Sequence, residues 1–254
     1  GQPAGYTADP QECMNYVSKH DNETLFDAVM YKAPANASLA DRIRMHNLGS
    51  AIVMFSQGIP FFQAGDDLLR SKSGDRNSYN SGDWFNRIDW SYQTHNWGIG
   101  LPMESENRER YAYLGPLLAN PAFVVKAQDI QNAAAYFQEL LRIRKSSPLF
   151  RLRTARDVQE RLSFPEGPNQ TPGLIVMLLG SGSPALDPVN KRVLVVFNAA
   201  PGEVQVNDPA LRGAWRLHPV QQNSVDPLTR ASSYRDGVFR VPGRTAAVFI
   251  EPGP

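Results

Sequence analysis

The pattern of apolar residues changes after Pro148, and this change restricts the folds that the chain can adopt. Before Pro148, apolar residues recur with the spacing of amphipathic helices and short strands. After it, short β-rich runs alternate with turns of Gly, Pro, Ser and Asp. These runs cover residues 174–179, 192–197, 204–206, 215–217, 238–241 and 246–250. The sequence therefore predicts an α/β region over 1–148 and an antiparallel β-sandwich or barrel over 149–254.

Two strands joined by a helix are predicted near the start of the chain. Residues 14–18 and 59–63 are short strand-like runs, and a helix over 39–57 follows the capping box of Ser38 and Asp41. The apolar stripe of this helix consists of Leu48, Ala51, Ile52 and Phe55. A strand, a helix and a second strand in this order imply that the two strands pair in parallel.

A long segment, 65–126, follows the second predicted strand, and its periodic pattern is weak. It contains three of the four tryptophans, and this aromatic content argues against disorder. A loop of such length in a compact domain usually carries function. Part of 106–119 is predicted to be helical. A strong helix over 130–147 is predicted to begin at Asp129 as its N-cap and to stop before Pro148.

A parallel sheet of only two strands cannot bury both of its faces or pair both of its edges. The first region supplies no further strand, and the chain begins abruptly without an initiator Met. We therefore expect this region to pack on sequence that precedes the chain, the N-terminal remainder of the same domain. An open strand edge also favours self-association.

Composition and charge exclude several classes of partner. The net charge is +1 and no cluster of Lys or Arg stands out, so neither nucleic acid nor an anionic membrane is expected as a partner. No apolar run approaches the length of a membrane span. Cys13 is the only cysteine, so no internal disulfide can form. No targeting segment is recognisable, and the sequence does not indicate a compartment.

Four polar residues, His20-Asp21-Asn22-Glu23, directly follow the first predicted strand. Ionised carboxylates are rarely buried without partners, and a neighbouring His suits hydrogen bonding to a polar ligand. In barrels of alternating strands and helices, catalytic residues lie at the C-terminal ends of the strands. Asp21 is therefore the strongest candidate for a functional residue. The alternative is a simple turn, because Asp and Asn both favour turns and caps.

The run 16–27, which contains this motif, resembles the seventh-strand region of the α-amylase superfamily of glycoside hydrolases, in which a hydrophobic strand ends in His-Asp. More narrowly, it is similar to type I pullulanases and limit dextrinases, the starch-debranching members. Three further segments carry the narrower resemblance in the order and spacing of the family. These segments are 1–6, 57–65 and 77–86. The resemblance is close over 1–148 and rests on position and β pattern over 149–254.

The resemblance implies the last two β/α units of a (β/α)8 TIM barrel, strands seven and eight with their helices, followed by a C-terminal β-sandwich. It also implies retaining hydrolysis of α-1,6-glucosidic bonds in pullulan or limit dextrins. In the family, the nucleophile and the acid/base lie on strands four and five, and retaining chemistry places the two groups about 5 Å apart. Neither strand is present in this sequence, so the isolated chain is expected to be inactive.

The resemblance also implies roles for single residues. Asp21 matches the third carboxylate of the family, which holds sugar hydroxyls and helps to distort the ring toward the transition state. His20 matches the neighbour that hydrogen-bonds the same sugar. The loop after strand eight is then expected to line the cleft for an α-glucan such as a maltooligosaccharide. The aromatic and planar polar residues expected to contact the glucan are Tyr79, Asn80, Asp83, Trp84 and Arg87.

Two other functions stay open. The chain could be a non-catalytic carbohydrate-binding module. It could also be part of an α-1,4-acting, amylase-type enzyme, although the resemblance of 77–86 to debranching enzymes argues against this.

Acidic residues outside the motif have alternative interpretations. Asp66 and Asp67 could act with Asp21 as acid and base, but a pair of acids after a glycine is more typical of a turn that bonds backbone amides. Together with Asp75 they could hold calcium, which takes several oxygen ligands, although no EF-hand spacing is present. No cofactor is otherwise expected.

The remaining histidines receive weaker interpretations. His46 lies on a predicted helix and is expected to be structural. His95 and Trp97 lie in the long loop, where sugar contact and loop packing are equally open. His218 lies in the β region and needs no role.

Overall fold

The computed structural model describes residues 7–165 and 171–253, so the family-like segment at 1–6 lies outside the described residues. The α-helices are α1 Leu25–Lys32, α2 Leu39–Phe55, α3 Gly82–Asn86, α4 Glu104–Asn107, α5 Tyr111–Leu118, α6 Ala127–Ser146, α7 Ala155–Arg161, α8 Pro219–Gln222 and α9 Pro227–Arg230. The strands are β1 Met14–Asn15, β2 Ile59–Pro60, β3 Leu162–Ser163, β4 Leu174–Gly180, β5 Asn190–Asn198, β6 Val204–Val206, β7 Arg216–Leu217, β8 Ser233–Arg235, β9 Val238–Val241 and β10 Thr245–Pro252.

The chain divides into two compact units. The first, here called the sandwich unit, comprises Gly1–Asn15, Ala51–Phe61 and Gln138–Pro254. The second, the loop unit, comprises Tyr16–Ser50 and Phe62–Phe137. These units follow local packing and do not test the division into domains 1–148 and 149–254, which stays a prediction.

Two antiparallel sheets make up most of the sandwich unit, as the β pattern predicted. The larger sheet has the strand order β3-β4-β5-β10-β7, and the smaller has the order β6-β9-β8. Residues of both sheets share one apolar core. The central members of this core are Val196, Val206, Phe239, Val241, Ala247 and Phe249. The predicted runs all contain strands, whereas the two-residue β3 and the polar β8 were not predicted because neither has an apolar alternation.

The two predicted strands of the first region pair in parallel but are shorter than expected. Met14 lies opposite Ile59, and Asn15 lies opposite Pro60. The backbone N–H of Phe61 donates to the carbonyl of Asn15 at 2.9 Å, and the pairing ends there. Proline has no N–H to donate, which limits the ladder that this strand can form.

The helices follow the local signals with one exception. α2 begins after a reciprocal capping box, in which the Asp41 N–H donates to Ser38 Oγ at 3.1 Å and the Ser38 N–H donates to Asp41 Oδ2 at 3.2 Å. The prediction that Asp129 is the N-cap of α6 is wrong. The helix begins at Ala127, and the carboxylate of Asp129 accepts a hydrogen bond from the N–H of Lys126 at 2.9 Å.

α1 was not predicted from the sequence, although it follows the polar motif. Thr24 is its N-cap, and the Thr24 hydroxyl accepts a hydrogen bond from the N–H of Asp27 at 3.1 Å. Phe26, Asp27 and Met30 form its buried face. Over the described residues, the helices are too short or too polar to cross a bilayer.

Candidate functional site

Within the polar motif, His20, Asp21 and Asn22 are exposed to solvent, and His20 and Asp21 lie side by side. Their side chains are 82% and 62% exposed, respectively. One carboxylate oxygen of Asp21 lies 3.1 Å from His20 Nδ1, and the other accepts a hydrogen bond from Lys19 Nζ at 3.0 Å. The hydrogen bond from Lys19 lowers the pKa of Asp21 below its ordinary value, and the neighbouring His20 acts in the same direction. Asp21 is therefore an ionised, accessible carboxylate beside an imidazole.

The other two residues of the motif, Asn22 and Glu23, are bonded to buried cationic side chains. Asn22 adopts a left-handed backbone with φ of 63°, and its carbonyl accepts a hydrogen bond from Lys72 Nζ at 2.8 Å. The side chain of Glu23 is only 14% exposed and forms an ion pair with Arg110 at 2.8 Å. The sequence does not separate the partly buried Glu23 from the three exposed residues of the motif, because all four are polar.

Asp27 is a fully buried carboxylate that joins α1 to the loop 71–74. It accepts hydrogen bonds from Ser71 Oγ at 2.5 Å, from the Lys72 N–H at 2.8 Å and from the Gly74 N–H at 3.1 Å. Burial raises the pKa of Asp27 to about 6, although these hydrogen bonds act to lower it. The sequence alone does not single out this residue for a role. The available signal was its position between Phe26 and Met30 on an apolar face.

Asp75 organises the loop that carries the predicted glucan contacts. Its carboxylate accepts hydrogen bonds from the Asn77 N–H at 3.0 Å, from Ser81 Oγ at 2.5 Å and from Asn107 Nδ2 at 3.1 Å. Asp75 and Asn107 are completely buried. These bonds brace both sides of the 3-10 turn Ser78–Asn80, so that this turn is presented at the surface.

The five residues predicted to contact the glucan are all exposed. Tyr79 is 90% exposed and Trp84 is 56% exposed, and Asn80 and Asp83 also lie at the surface. The guanidinium of Arg87 lies 5.3 Å from the centre of the Trp84 ring, a distance typical of a cation–π contact.

Arg87 is also fixed by a neighbour in the same loop. Its Nε donates to Asn96 Oδ1 at 3.3 Å, and Asn96 Nδ2 donates to the carbonyl of Arg87 at 3.1 Å. The structure thus brings Trp84 and Arg87 together, and it brings His20 and Asp21 together. The two pairs have separate sets of hydrogen-bonding partners.

Asp66 behaves as the turn interpretation predicted. It is 3% exposed and accepts hydrogen bonds from Ser18 Oγ at 3.1 Å and from the Gln63 N–H at 3.0 Å. Burial raises the pKa of Asp66 to about 6, and burial also raises the pKa of Asp67. Within the described residues, no hydrogen bond joins Asp66 to Asp21. Asp66 and Asp21 therefore do not form an acid/base couple by direct contact.

His46, His95 and Trp97 make packing contacts within the loop unit. His46 Nε2 bonds the Asp66 carbonyl at 2.7 Å, which confirms a structural role. His95 bonds the Leu69 carbonyl, and its ring centre lies 4.7 Å from that of Phe26. The Trp97 ring lies 6.0 Å from the same Phe26 ring. Burial lowers the pKa of His46 and of His95 to about 4, so both are neutral near pH 7.

The acidic side chains of the described residues are scattered and do not gather into a metal site. Among the same residues, the side chains of His, Cys, Asp and Glu form no group of three that could hold an ion. The candidate acids Asp66 and Asp75 are instead satisfied by the hydroxyl and amide donors described above. The calcium interpretation of Asp66, Asp67 and Asp75 stays a prediction that a binding measurement has to test.

The chain belongs to the pullulanase-type α-1,6-glucosidases, because the family model described as "Alpha-1,6-glucosidases, pullulanase-type, C-terminal" matches residues 92–252. This match confirms the narrower of the two resemblances seen in the sequence. The described helices and antiparallel sheets correspond to the C-terminal region of such enzymes, which are starch-debranching hydrolases.

Curated relatives and solved structures agree with this assignment. The chain is 48% identical to "Pullulanase 1, chloroplastic" of Arabidopsis thaliana, and the match covers 98% of this chain and 27% of that protein. It is 44% identical to the pullulanase of Klebsiella pneumoniae, and that match covers 99% of this chain and 24% of that protein. The crystal structure of PulA from Klebsiella oxytoca matches with a TM-score of 0.92 and 39% identity, over 99% of this chain and 24% of the other.

A second solved structure is that of Klebsiella pneumoniae pullulanase complexed with maltotriose. It matches with a TM-score of 0.89 and 38% identity, over 99% of this chain and 24% of the other. The chain therefore spans about a quarter of the length of the relatives that it matches.

Proposed function

We propose that this chain forms the C-terminal part of a retaining glycoside hydrolase that cleaves α-1,6-glucosidic bonds in pullulan and limit dextrins. The observation that carries the proposal is the ionised, accessible carboxylate of Asp21 beside His20, in a turn held by buried charges. In this proposal, β1 and β2 belong to the seventh and eighth strands of a (β/α)8 barrel whose remaining strands lie outside this chain.

Asp21 acts in this proposal as the transition-state stabiliser. A carboxylate and an imidazole accept and donate hydrogen bonds at neighbouring ring hydroxyls, and such bonds strengthen as the sugar approaches the oxocarbenium-like transition state. The lowered pKa keeps Asp21 ionised, so it accepts hydroxyl hydrogens and does not compete as a proton donor. The nucleophile and the acid/base are expected outside this chain, and the isolated chain is therefore expected to be inactive.

The loop 77–87 supplies the proposed glucan contacts. The exposed rings of Tyr79 and Trp84 offer flat apolar surfaces for sugar faces, and Arg87, held against Trp84, offers donors for hydroxyls. Asn80 and Asp83 supply further planar polar groups at the surface. The structural relative complexed with maltotriose supports an α-glucan as the ligand.

The proposed role of Asp21 is tested by Asp21→Asn in the enzyme that contains this chain. Asn keeps the shape and removes the charge, so we expect kcat on pullulan to fall by a factor of about 1,000 or more, on the scale of losing a principal electrostatic contact to the transition state. The matched control is Asp236→Asn, an exposed acid in the sandwich unit with φ of 54°, which Asn tolerates well. Turnover of Asp21→Asn within tenfold of the wild-type value, a difference of about 1.4 kcal/mol in activation free energy, would contradict the proposal.

A second function, glucan binding without chemistry, is favoured by one observation, the exposure of Tyr79 and Trp84. In this case the isolated chain binds maltotriose and Trp84→Ala weakens the binding, but no hydrolysis occurs in any context. Calorimetric titration of the isolated chain, together with a pullulan assay on the full-length protein, separates the two functions. Hydrolysis of pullulan by the isolated chain at the rate of the full-length protein would contradict both. Self-association through an open strand edge stays a prediction.

A further inference from the structure

The turn that carries Asp21 is not held by the bonds of Asp21 itself. Those bonds reach only the adjacent Lys19 and His20, and both of these side chains are substantially exposed. The next residue, Asn22, has a left-handed backbone with φ of 63°, a conformation that Asn tolerates better than most residues other than glycine. The contacts that hold the turn in this conformation come from other segments of the loop unit.

Two buried cations impose the conformation of the turn. Lys72, which is 1% exposed, donates from Nζ to the carbonyl of Asn22 at 2.8 Å. Arg110, which is 5% exposed, pairs with the carboxylate of Glu23 at 2.8 Å. Buried charges are costly unless they are paired and hydrogen-bonded, so each cation strongly favours the turn geometry that supplies its partner.

Arg110 is itself held in one orientation. Its Nη1 donates to the carbonyl of Gly74 at 3.1 Å, and its Nε donates to the hydroxyl of Tyr113 at 2.6 Å. Its guanidinium also lies 5.1 Å from the centre of the Tyr31 ring and 5.8 Å from that of Tyr113. A planar guanidinium with fixed donors can hold several partners at once, which a lysine ammonium cannot do with the same geometry.

The tyrosine beside this pair is protonated near neutral pH. Burial, together with the carboxylate of Glu23, raises the pKa of Tyr31 to about 12. Glu23 is thus bound on one side by Arg110 and faces a protonated phenol on another.

We propose that Arg110 is a positioning residue for the carboxylate of Asp21, that it acts through Glu23, and that Lys72 supports the same turn. This inference rests on the proposed role of Asp21. Without Arg110, the carboxylate of Glu23 loses its buried partner and moves toward Lys72 or solvent. The backbone at Asn22 moves with it. A displacement of about 1 Å at a reacting group can lower a rate about 100-fold.

The test uses Arg110→Met and Arg110→Lys in the full-length enzyme with pullulan as substrate. We expect Arg110→Met to lower kcat by a factor of about 10 to 100 and to change KM by less than about threefold. Arg110→Lys should recover part of kcat, because the ammonium still pairs with Glu23 but loses the bonds to Gly74 and Tyr113.

The matched control is Arg42→Met. Arg42 is 1% exposed in the same unit. It donates to the carbonyls of Ala37 and Pro34 at 3.1 Å each and to that of Met30 near the C-terminal end of α1, and these partners lie outside the turn 20–23. Its removal should lower the melting temperature and leave kcat unchanged at a temperature where the variant is folded. Equal falls of kcat in Arg42→Met and Arg110→Met would overturn the proposal, since both losses would then reflect general destabilisation.

Glu23→Gln keeps the inference testable if Arg110→Met does not fold. It is expected to lower kcat by a similar factor. If Arg110→Met does fold, the double variant should be no slower than the slower single variant, because the two residues act as one unit. Wild-type kcat in Glu23→Gln overturns the positioning role. If Asp21→Asn abolishes turnover while the Arg110 and Glu23 variants keep it, the positioning role alone fails. If Asp21→Asn keeps turnover, the proposed function fails.

Discussion

The sandwich unit and the loop unit are stabilised by different kinds of contact. In the sandwich unit, the paired strands β5 and β10 contain long apolar stretches with no exposed surface, namely Val193–Val196 and Ala246–Phe249. In the loop unit, the described segment 71–110 contains no β-strand. It is held instead by buried polar side chains. The principal ones are Asp27, Lys72, Asp75, Asn107 and Arg110.

This difference shows how a long loop can be rigid without regular secondary structure. Backbone N–H and C=O groups need partners, and strands satisfy them in ladders. The loop unit supplies side-chain carboxylates, amides and cations as partners, as Asp27 does for the N–H groups of Lys72 and Gly74. Hydrogen bonds are directional, so this arrangement also fixes where the exposed residues His20, Asp21 and Trp84 lie. Four predictions test the comparison.

The largest loss of stability is expected from a substitution that creates a cavity in the apolar core of the sandwich unit. Phe239 is completely buried, and its ring centre lies 5.7 Å from that of Trp215 and 4.9 Å from that of Phe249. Phe239→Ala should lower the free energy of unfolding by about 3–5 kcal/mol. Val189→Ala, at a position 63% exposed in the same unit, is the control and should be nearly neutral. Urea unfolding of the purified protein measures both. A loss below about 1 kcal/mol for Phe239→Ala would show that the apolar core is not dominant.

Removal of the Asp27 carboxylate is expected to have the next largest effect. Asp27→Ala leaves two backbone N–H groups and the hydroxyl of Ser71 without their acceptor. The free energy of unfolding should fall by about 2–4 kcal/mol, and Asp27→Asn, which keeps one acceptor, should lose less. Amide hydrogen exchange should accelerate in the loop 71–74 while the amides of β5 stay protected. Uniform acceleration over both units would contradict a loop held by local polar contacts.

One carboxylate in each unit is expected to change its contribution to stability with pH, and the two changes should have opposite signs. In the loop unit, burial raises the pKa of Asp66 to about 6 from an ordinary value of 3.8. The folded protein then binds the proton more tightly than the unfolded chain. The contribution of Asp66 to stability is present below pH 3.8 and is lost as the pH rises through about 6.

In the sandwich unit, burial acts to raise the pKa of Asp187, but hydrogen bonds from Ser147 and Asn190 outweigh it, and the pKa lies below its ordinary value. The contribution of Asp187 is therefore present above pH 3.8 and is lost at lower pH. Asp66→Asn should destabilise most near pH 4, by up to about 3 kcal/mol more than at pH 7. Asp187→Asn should destabilise most near pH 7. Urea unfolding from pH 3 to pH 7 checks both, and pH profiles of the same sign in the two variants would show that the assignment is wrong.

The smallest effect is expected at the surface of the loop unit. Tyr79 is 90% exposed, so Tyr79→Ala should change the free energy of unfolding by less than about 0.5 kcal/mol. In the full-length enzyme, the same variant should bind maltotriose more weakly if the ring contacts sugar. Thermal unfolding and calorimetric titration give the two values. A large loss of stability would mean that this aromatic residue supports the loop and is not free for a ligand.

Local patterns predicted much of the regular structure. Each β-rich run after Pro148 contains a strand, because alternating or continuous apolar residues need a sheet to bury them. The capping box at Ser38 and the stop at Pro148 were also correctly located, since both depend on neighbouring residues only. α1 was missed, because its eight residues are too few for a clear helical period and its buried face includes an acid.

The candidate site was predictable in part. The resemblance singled out seven residues, and the structure finds all of them at the surface. They are His20, Asp21, Tyr79, Asn80, Asp83, Trp84 and Arg87. Their roles in binding and catalysis stay predictions. The residues that hold them in place, Lys72, Asn107 and Arg110, were not foreseen, because each acts on a partner more than thirty residues away.

The sequence by itself determined the family, the antiparallel sheets and the position of the polar motif, because these depend on residue order and local periodicity. The tertiary structure alone decided which carboxylates are charged and accessible. Asp21 and Asp27 are six residues apart and chemically identical, yet the pKa of Asp21 is lowered and that of Asp27 is raised to about 6. Burial and the hydrogen-bond donors around a carboxylate set its pKa. The donors around Asp27 come from Ser71, Lys72 and Gly74, which only the folded chain brings to it.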